Sequence, residues 1–162
     1  MITLYHGSVV AVRKVSLGKC RRRTDFGKGF YTTTSKDQAI KWAKLKKERS
    51  GASMGIVSVF EIDEAILADV NFAIMRFDGA NVNWLETVVS NRRESGTNKH
   101  DIVIGPVAND NLYATITLYE QGVLSANAAI EQLKSHKLFD QLSFHTENAV
   151  AQLTYKESFD VE

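Results

Sequence analysis

At 162 residues, with 44% hydrophobic and 24% charged side chains, the chain has the size and composition of one globular domain, residues 1–162, with a core of its own. The formal net charge of +1 conceals a basic amino-terminal third, which offers an anionic ligand a local positive field. The single cysteine, Cys20, excludes an intramolecular disulfide and a multi-cysteine metal site, and it favours a reducing, cytoplasmic location. No apolar run reaches the roughly 20 residues that cross a bilayer, so we expect no membrane partner.

The chain opens with a short run of β-forming residues, Ile2 to Tyr5, which predicts a strand that ends at His6-Gly7-Ser8. Such an ending places an imidazole and a sterically open backbone amide at a sheet edge, where a ligand can reach both. Residues 9–24 have no clear hydrophobic period and predict a loop that carries a basic cluster.

The stretch from Asp25 to Ala43 has the most specific local pattern in the sequence. Gly27 and Gly29 allow the backbone to turn sharply or to lie close against a bound molecule, because neither carries a Cβ. Residues 30–34 predict a strand with Tyr31 on one face and its two neighbours on the other. The pattern is typical of a ligand-stacking ring on a rigid frame, and also of a core aromatic beside a turn.

A helix follows, and its first turn carries the signature of a capping box, with Ser35 as N-cap and Gln38 three residues later. Its apolar stripe predicts that the lysines stay outside and that the helix ends at Ser50-Gly51. The residues of that stripe are Ala39, Trp42 and Ala43.

The middle of the chain predicts a strand over Gly55–Ile62 and either a strand or a short helix within residues 64–78. A second helix, capped by Asn83, has an apolar stripe of Trp84, Leu85, Val88 and Val89. Asn91 and Arg92 extend that stripe with polar groups, which predicts that the helix end overlooks a cleft.

The last third predicts a buried strand over residues 101–107 that ends at Pro106, the only proline. Further elements are expected in the order helix, helix, strand, short helix and strand. They begin at Asn109-Asp110, Ser125, Gln141, Thr146 and Tyr155. Because strands and helices do not alternate regularly, the predicted fold class is α+β.

The residue types also bear on three other chemistries. The four histidines are far apart and none has the spacing of a helical zinc pair, so no metal site is expected. Cys20 lies among basic residues that favour a lowered pKa and a nucleophilic thiolate. The basic run at residues 19–23 suits nucleic acid or, through bidentate arginines, a pyrophosphate.

Two motifs in order carry a resemblance to a known superfamily. They are Leu4-Tyr5-His6-Gly7-Ser8 and Phe26-Gly27-Lys28-Gly29-Phe30-Tyr31, the second leading into the helix at Ser35-Lys36. The chain thereby resembles the diphtheria-toxin and poly(ADP-ribose) polymerase branch of the ADP-ribosyltransferases. It is even more similar to a family of small bacterial proteins of unassigned function that is grouped with that fold. The specific match covers the first 43 residues.

The resemblance implies a split, largely antiparallel sheet core with NAD in the cleft between its halves. His6 would bind the adenosine ribose, Gly7 would pair its backbone with the nicotinamide carboxamide, and Tyr31 would stack on the nicotinamide ring. Trp42 is the nearest candidate for a second stacking aromatic. The implied NAD-binding residues are His6, Gly7, Ser8, Arg23, Gly29, Phe30, Tyr31 and Trp42.

The family's catalytic glutamate is where this chain departs from the pattern. The matching strand begins with Gln141, which would complete a His6, Tyr31, Gln141 series but brings no negative charge and cannot act as a general base. Losing one charge-stabilising group costs on the order of 3 kcal/mol, about a hundredfold in rate. Glu147 and Glu120 are the candidate carboxylates to substitute for that glutamate.

Three hypotheses follow. The first is a mono-ADP-ribosyltransferase that cleaves NAD and modifies a protein or nucleic acid, as a toxin or delivered defence effector with a cognate antitoxin as partner. The second is a catalytically silent module that binds a nucleotide or a protein with the same fold. The third, resting only on the basic run at residues 19–23, is a nucleic-acid binder.

Overall fold

The computed structural model describes residues 1–21, 24–93, 99–107, 110–134 and 139–162, and at residues 110–113 it describes the backbone alone. Within these ranges the fold is α+β, with two β-sheets and five α-helices, as the order of the predicted elements indicated. The strands are β1 (Ile2–Ser8), β2 (Phe30–Thr32), β3 (Gly55–Ile62), β4 (Ile74–Arg76), β5 (Ile102–Pro106), β6 (Asp140–Phe144) and β7 (Thr154–Val161). The helices are α1 (Lys36–Ser50), α2 (Val82–Arg93), α3 (Asp110–Glu120), α4 (Ala126–Lys134) and α5 (Glu147–Val150), with short 3-10 helices at Leu17–Lys19 and Glu64–Ala68.

The strands form a three-stranded sheet in the order β1-β3-β7 and a four-stranded sheet in the order β2-β6-β5-β4. Every pairing is antiparallel except that of β4 with β5. Helix α1 packs on one face of the three-stranded sheet, where Ala39, Ala43, Val57 and Val161 form a small buried cluster. The core between the two sheets contains Leu4, Phe30, Phe60 and Phe144, among others.

A third buried cluster lies on the other face of the four-stranded sheet, where α2 and α4 bring Trp84, Leu85, Val88 and Leu133 against Val103. The apolar stripe predicted for α2 is therefore confirmed, because all four of its residues are buried. The four-stranded sheet is covered on both faces, which explains why β5 is a nearly continuous apolar run.

The predicted start and end of α1 are also confirmed. The Ser35 hydroxyl accepts a hydrogen bond from the Gln38 backbone N–H at 3.2 Å, and Gly51 closes the helix in the left-handed region at φ 71°. The second half of the capping box does not form, because the Ser35 N–H donates instead to the Thr33 hydroxyl.

Strand β1 ends at Ser8, as predicted, and its last residues pair with β3. Two other predicted boundaries were wrong. Strand β2 ends at Thr32 rather than at residue 34. Helix α2 is capped by Asn81, whose side-chain oxygen accepts from the Trp84 N–H at 2.9 Å, and not by Asn83. Residues 64–78, which the pattern left open, contain both the 3-10 helix Glu64–Ala68 and β4.

In the last third, the predicted caps at Ser125 and Thr146 are confirmed. The helix that Thr146 starts is four residues long and runs from Glu147 to Val150. The predictions for Arg23 and for a cap at Asn109 lie outside the described residues.

Candidate functional site

The two sheets meet and then separate at one point, between β1 and β2. A single bridge joins them, in which the Tyr5 N–H donates to the Thr33 carbonyl at 2.8 Å and the Thr33 N–H donates back to the Tyr5 carbonyl at 3.0 Å. Continuing that antiparallel register would set Gly7 opposite Tyr31, but the pairing stops at the bridge. Because backbone groups of alternate residues point to the same side of a strand, the N–H and C=O of both Gly7 and Tyr31 face the gap. We call this gap the β1–β2 split.

His6 spans the split with its side chain. Its ring Nδ1 donates to the Tyr31 backbone carbonyl at 2.7 Å, which leaves Nε2 as the acceptor nitrogen, and the ring lies on Phe30 with centroids 4.2 Å apart. Burial is the main reason that the pKa of His6 falls to about 3, and the nearby Lys46 cation lowers it further. The imidazole is therefore neutral at physiological pH, with a defined tautomer.

Gly7 is held between β3 and helix α1 with no room for a side chain. A Cβ at this position would overlap the Ala39 carbonyl oxygen and lie 2.8 Å from the Ala43 nitrogen. The glycine thus lets the helix lie directly on the strand. Its carbonyl oxygen, on the side of the split, accepts a hydrogen bond from Lys46 Nζ at 2.6 Å.

Lys46 was predicted to stay outside with the other lysines of α1, and that prediction was wrong. The contact with Gly7 draws its side chain inward, and burial, with Arg21 nearby, lowers its pKa to about 8. Lys46 therefore places a cationic group at the edge of the split.

The Tyr31 ring lies on the face of β2 opposite to Phe30. Its hydroxyl accepts from the Phe26 N–H at 2.8 Å and donates to the Gly27 carbonyl at 2.5 Å, which ties the ring to the glycine-rich turn. Phe26 is roughly parallel to the ring at a centroid distance of 6.4 Å, and His145 meets it edge-on at 6.2 Å. Burial raises the pKa of the phenol far above its ordinary range, so Tyr31 stays neutral.

Gly29 is explained by packing against a histidine that follows the end of β6. A Cβ on Gly29 would meet His145 Nδ1 at 2.6 Å. The same ring nitrogen bonds the Lys28 carbonyl at 2.7 Å, and Nε2 bonds the Ser143 hydroxyl at 2.7 Å. Burial lowers the pKa of His145, so this ring too is neutral and fixes the turn that carries Tyr31.

Gln141 lies on the same face of the four-stranded sheet as Tyr31, because Tyr31 is paired with Ser143, two residues further along β6. The Gln141 side chain is 2% exposed, and its amide nitrogen donates to Asp25 Oδ2 at 3.0 Å and to the Pro106 carbonyl at 3.3 Å. Arg92 of α2 binds the other oxygen of Asp25, with Nη2 at 2.7 Å and Nε at 3.2 Å. The amide, carboxylate and guanidinium form one buried cluster.

The remaining predicted residues are less closely grouped. Ser8 ends β1 and is partly buried, and Phe30 is buried beneath the His6 ring. Trp42 is partly exposed on α1, with its Cβ near Gly7, and the ring contacts of Tyr31 are with Phe26 and His145 rather than with Trp42. Of the substitute carboxylates, Glu147 is exposed at the start of α5 and Glu120 lies 3.9 Å from Arg93.

The segment between β1 and β2 lies over the His6 side of the split. The Val12 N–H donates to the hydroxyl of Ser58, the residue paired with His6, at 2.9 Å. Val15 is buried in the cluster that contains Phe30, and Leu17 and Cys20 pack against it. Burial raises the pKa of Cys20, so the expected low-pKa thiolate was wrong: the loss of hydration outweighs the nearby Lys28 and Lys46 cations.

A pocket near α2 and another on the three-stranded sheet lie on the described surface, and neither is lined by His6, Gly7 or Tyr31. One, of about 600 Å³, runs between β4 and α2 and is bordered by Asn81 and Asn91; the other, of about 420 Å³, lies beside Tyr5, Lys36 and Phe159. Residues 9–21, which we call the covering segment, pack over His6, so a ligand as large as a dinucleotide would have to displace part of this segment to reach that ring.

Sequence reasoning missed Asp25 and Lys46 as members of this region. A weak signal existed for Arg92, because it continues the buried stripe of α2 with a charge. The cleft predicted at that helix end is present beside Asn91, which lines the pocket of about 600 Å³ and also donates to the Asp25 carbonyl at 3.4 Å. Arg92 instead binds the Asp25 carboxylate. Nothing in the local sequence of Asp25 indicates a partner 116 residues away.

Within the described ranges, histidine, cysteine and acidic side chains form no group of three or more that could hold a metal ion. None of the helices that the structure describes is long and apolar enough to cross a membrane.

Comparison with known proteins gave one match. A search of curated proteins and a search of solved structures each returned no match. A family model described as "Protein of unknown function (DUF3990)" matches residues 2–155, which is nearly the whole chain. The chain therefore belongs to the DUF3990 family.

Proposed function

We propose that the protein is a mono-ADP-ribosyltransferase that cleaves NAD and transfers ADP-ribose to a macromolecular acceptor. In this proposal the nicotinamide end of NAD enters the β1–β2 split, His6 Nε2 accepts from a ribose hydroxyl, and Tyr31 provides the stacking ring. A toxin or defence effector, with an antitoxin as partner, is the biological setting that the resemblance of the sequence favours.

The observation that carries the proposal is the separation of β1 from β2 at Gly7 and Tyr31. Two backbones that stop pairing leave N–H and C=O groups directed into the gap, and these groups match the donor and acceptor of a carboxamide. Because α1 fills the space where a Gly7 side chain would stand, a ligand in the split meets this residue through its backbone groups alone. The neutral imidazole beside it has its tautomer fixed by the Tyr31 carbonyl.

The reaction requires little covalent chemistry from the protein. The bond between the ribose C1′ and the nicotinamide nitrogen breaks, the electron pair leaves with nicotinamide, and the acceptor nucleophile forms the new bond to C1′ and releases its proton. The transition state resembles an oxocarbenium ion, so the site must orient the ribose and tolerate positive charge. In the proposal, Gln141 contributes orientation through its carbonyl oxygen.

The direct test is nicotinamide release from NAD by the purified protein. We expect slow release by the wild type, and a loss of at least about tenfold in His6→Ala and Tyr31→Ala because each removes a group that positions the substrate. Tyr155→Ala is the matched control, since Tyr155 is a partly buried tyrosine in β7 of the other sheet. Equal activity in wild type, His6→Ala and Tyr31→Ala would reject the proposed roles.

A second function, a catalytically silent binding module, is favoured by one observation. Lys46 Nζ already occupies the Gly7 carbonyl oxygen at 2.6 Å, which is the acceptor that a carboxamide N–H would use. If this contact persists in solution, the split binds an anionic ligand without reproducing the pairing that cleavage needs. Calorimetry distinguishes the two functions, because binding of NAD without any release of nicotinamide is the signature of the module.

A further inference from the structure

The buried cluster beside β6 contains the one carboxylate that contacts Gln141 in the described chain. Asp25 is 8% exposed, and each of its two oxygens contacts a different side chain of the described chain. Oδ2 accepts from the Gln141 amide nitrogen at 3.0 Å, while Oδ1 accepts two hydrogen bonds from the Arg92 guanidinium. The three side chains come from a loop, from α2 and from β6, so the cluster is assembled only in the folded chain.

The contacts determine which way the Gln141 amide points. A carboxylate can only accept, and the Pro106 carbonyl can only accept, so the group between them must be the NH2 of the amide. Both amide hydrogens are then used, and Oε1 is the atom left to accept from a ligand hydroxyl. A hydrogen bond to an ionised acceptor is stronger than a neutral one and polarises the donor amide.

We propose that Asp25 supplies the negative charge of this site through Gln141, so that the pair replaces a single glutamate on the strand. Asp25 acts as a positioning residue: it fixes the amide and increases the negative partial charge on Gln141 Oε1. This inference rests on the proposed function, because it assigns the group that faces the ribose hydroxyl.

The charge balance limits the size of the effect. The Arg92 guanidinium stands 2.7 Å from the Asp25 carboxylate, so these two residues and the Gln141 amide together contribute no net charge. Oε1 therefore carries an enhanced dipole rather than a full charge. The expected turnover therefore lies below that of a site with a free carboxylate.

The first test is Gln141→Glu, which restores the residue type of the superfamily. It brings a second carboxylate to within about 3 Å of Asp25, where two negative charges cannot both remain ionised, so the variant has to take up a proton. We expect its melting temperature to fall by about 5–10 °C at pH 8, and by clearly less at pH 5, relative to wild type. Gln132→Glu, on the exposed face of α4, is the matched control and should lie within about 1 °C of wild type at both pH values.

The second test is the exchange Asp25→Asn with Gln141→Glu. The double variant again holds one carboxylate, one amide and Arg92, so it should recover at least half of the melting-temperature loss of Gln141→Glu at pH 8. Each single variant should be less stable than the double variant. Such non-additivity shows that residues 25 and 141 interact directly. At independent sites, the melting-temperature losses of the two single variants would add in the double variant.

Activity is measured on the same proteins. Gln141→Glu alone should release nicotinamide no faster than wild type, despite restoring the glutamate. The exchange variant should exceed Gln141→Glu by about tenfold in kcat, with KM within about twofold, because the carboxylate now stands on the strand and keeps its partner. A change in KM alone would assign Asp25 to binding and overturn its positioning role.

The outcomes separate the inference from the function on which it rests. A Gln141→Glu variant as stable as wild type at pH 8, or additive losses in the exchange, overturns the pairing. Recovery of stability in a protein that releases no nicotinamide even as wild type overturns the proposed function instead, and leaves Asp25 assigned as the charge paired with Gln141.

Discussion

The two sides of the β1–β2 split are built by different means. On the three-stranded sheet, His6 and Gly7 are held by backbone geometry: a ring nitrogen on a carbonyl, and a glycine pressed against the backbone of α1. On the four-stranded sheet, Gln141 is held by side-chain charges, through Asp25 and Arg92. Substitutions on the three-stranded side should destabilise the fold by steric clash, and those on the four-stranded side by removing a charge partner. Substitution and pH should therefore affect the stability of the two sides differently.

The largest effect is expected at Gly7. Gly7→Ala places a Cβ in collision with the Ala39 carbonyl oxygen, so strand or helix must move, and we expect a loss of more than about 3 kcal/mol in the free energy of unfolding. The measurement is urea denaturation followed by circular dichroism. Gly79→Ala is the control, since no atom lies within 4 Å of the added Cβ, and should change stability by less than about 0.5 kcal/mol. Equal losses in both variants would contradict the packing described for Gly7.

A substitution in the charged cluster of the four-stranded sheet should lower the free energy of unfolding somewhat less than Gly7→Ala does. Arg92→Met removes the guanidinium that binds the Asp25 carboxylate, where the side-chain exposures are 13% for Arg92 and 10% for Asp25. We expect a loss of about 2–3 kcal/mol in the free energy of unfolding. Its neighbour Arg93 is 58% exposed and lies 3.9 Å from Glu120, so Arg93→Met should cost less than about 0.5 kcal/mol. The same denaturation series compares them, and a neutral Arg92→Met would show that Asp25 does not depend on this cation.

The next expected effect is a pH dependence of stability that comes from His6, on the three-stranded side of the split. His6 has an ordinary pKa of 6.5 and a folded pKa of about 3, so between these values the unfolded chain binds a proton that the folded chain does not. Stability therefore falls as the pH drops below about 6.5. We expect wild type to lose about 1–2 kcal/mol more than His6→Gln between pH 7 and pH 5. His145, whose pKa is also lowered, titrates in both proteins and cancels in the comparison.

The smallest effect concerns the segment that covers the split. Cys20 is partly buried there and burial raises its pKa, so alkylation by iodoacetamide at pH 8 should be several-fold slower in the folded protein than in urea. Mass spectrometry gives both rates. A folded-state rate that equals or exceeds the rate in urea would mean that the thiolate is accessible and that the covering segment does not pack as described.

Whether a feature of the fold could be predicted from the sequence depends on how far apart in the chain the interacting residues lie. The cap at Ser35, the end at Gly51 and the buried face of α2 depend on neighbours within a few residues, and local pattern sufficed for them. The extent of β2 was wrong because its pairing with β6, far along the chain, stops at Thr32. Lys46 was misassigned because a helical period cannot show that a strand carbonyl lies within reach of one lysine.

The two sides of the split also differ in how far they could be predicted from the sequence. His6, Gly7 and Tyr31 occur in two short motifs, and the resemblance of those motifs to the ADP-ribosyltransferases is what predicted that the three residues lie near one another. The contacts of Asp25 with Arg92 and Gln141 join residues 67 and 116 positions apart, and only the fold brings them together. A charged residue that continues an apolar helical stripe, as Arg92 does, was the one local sign of that cluster.

The central claim, that the β1–β2 split receives the nicotinamide end of NAD, is tested most directly by amide resonances. In a ¹⁵N-labelled sample titrated with NAD, we predict that the backbone amides of Gly7 and Tyr31 shift most, while that of Gly79 stays in place. Saturable shifts that spare Gly7 and Tyr31 and fall on the pocket between β4 and α2, or no shifts at all, would contradict the claim.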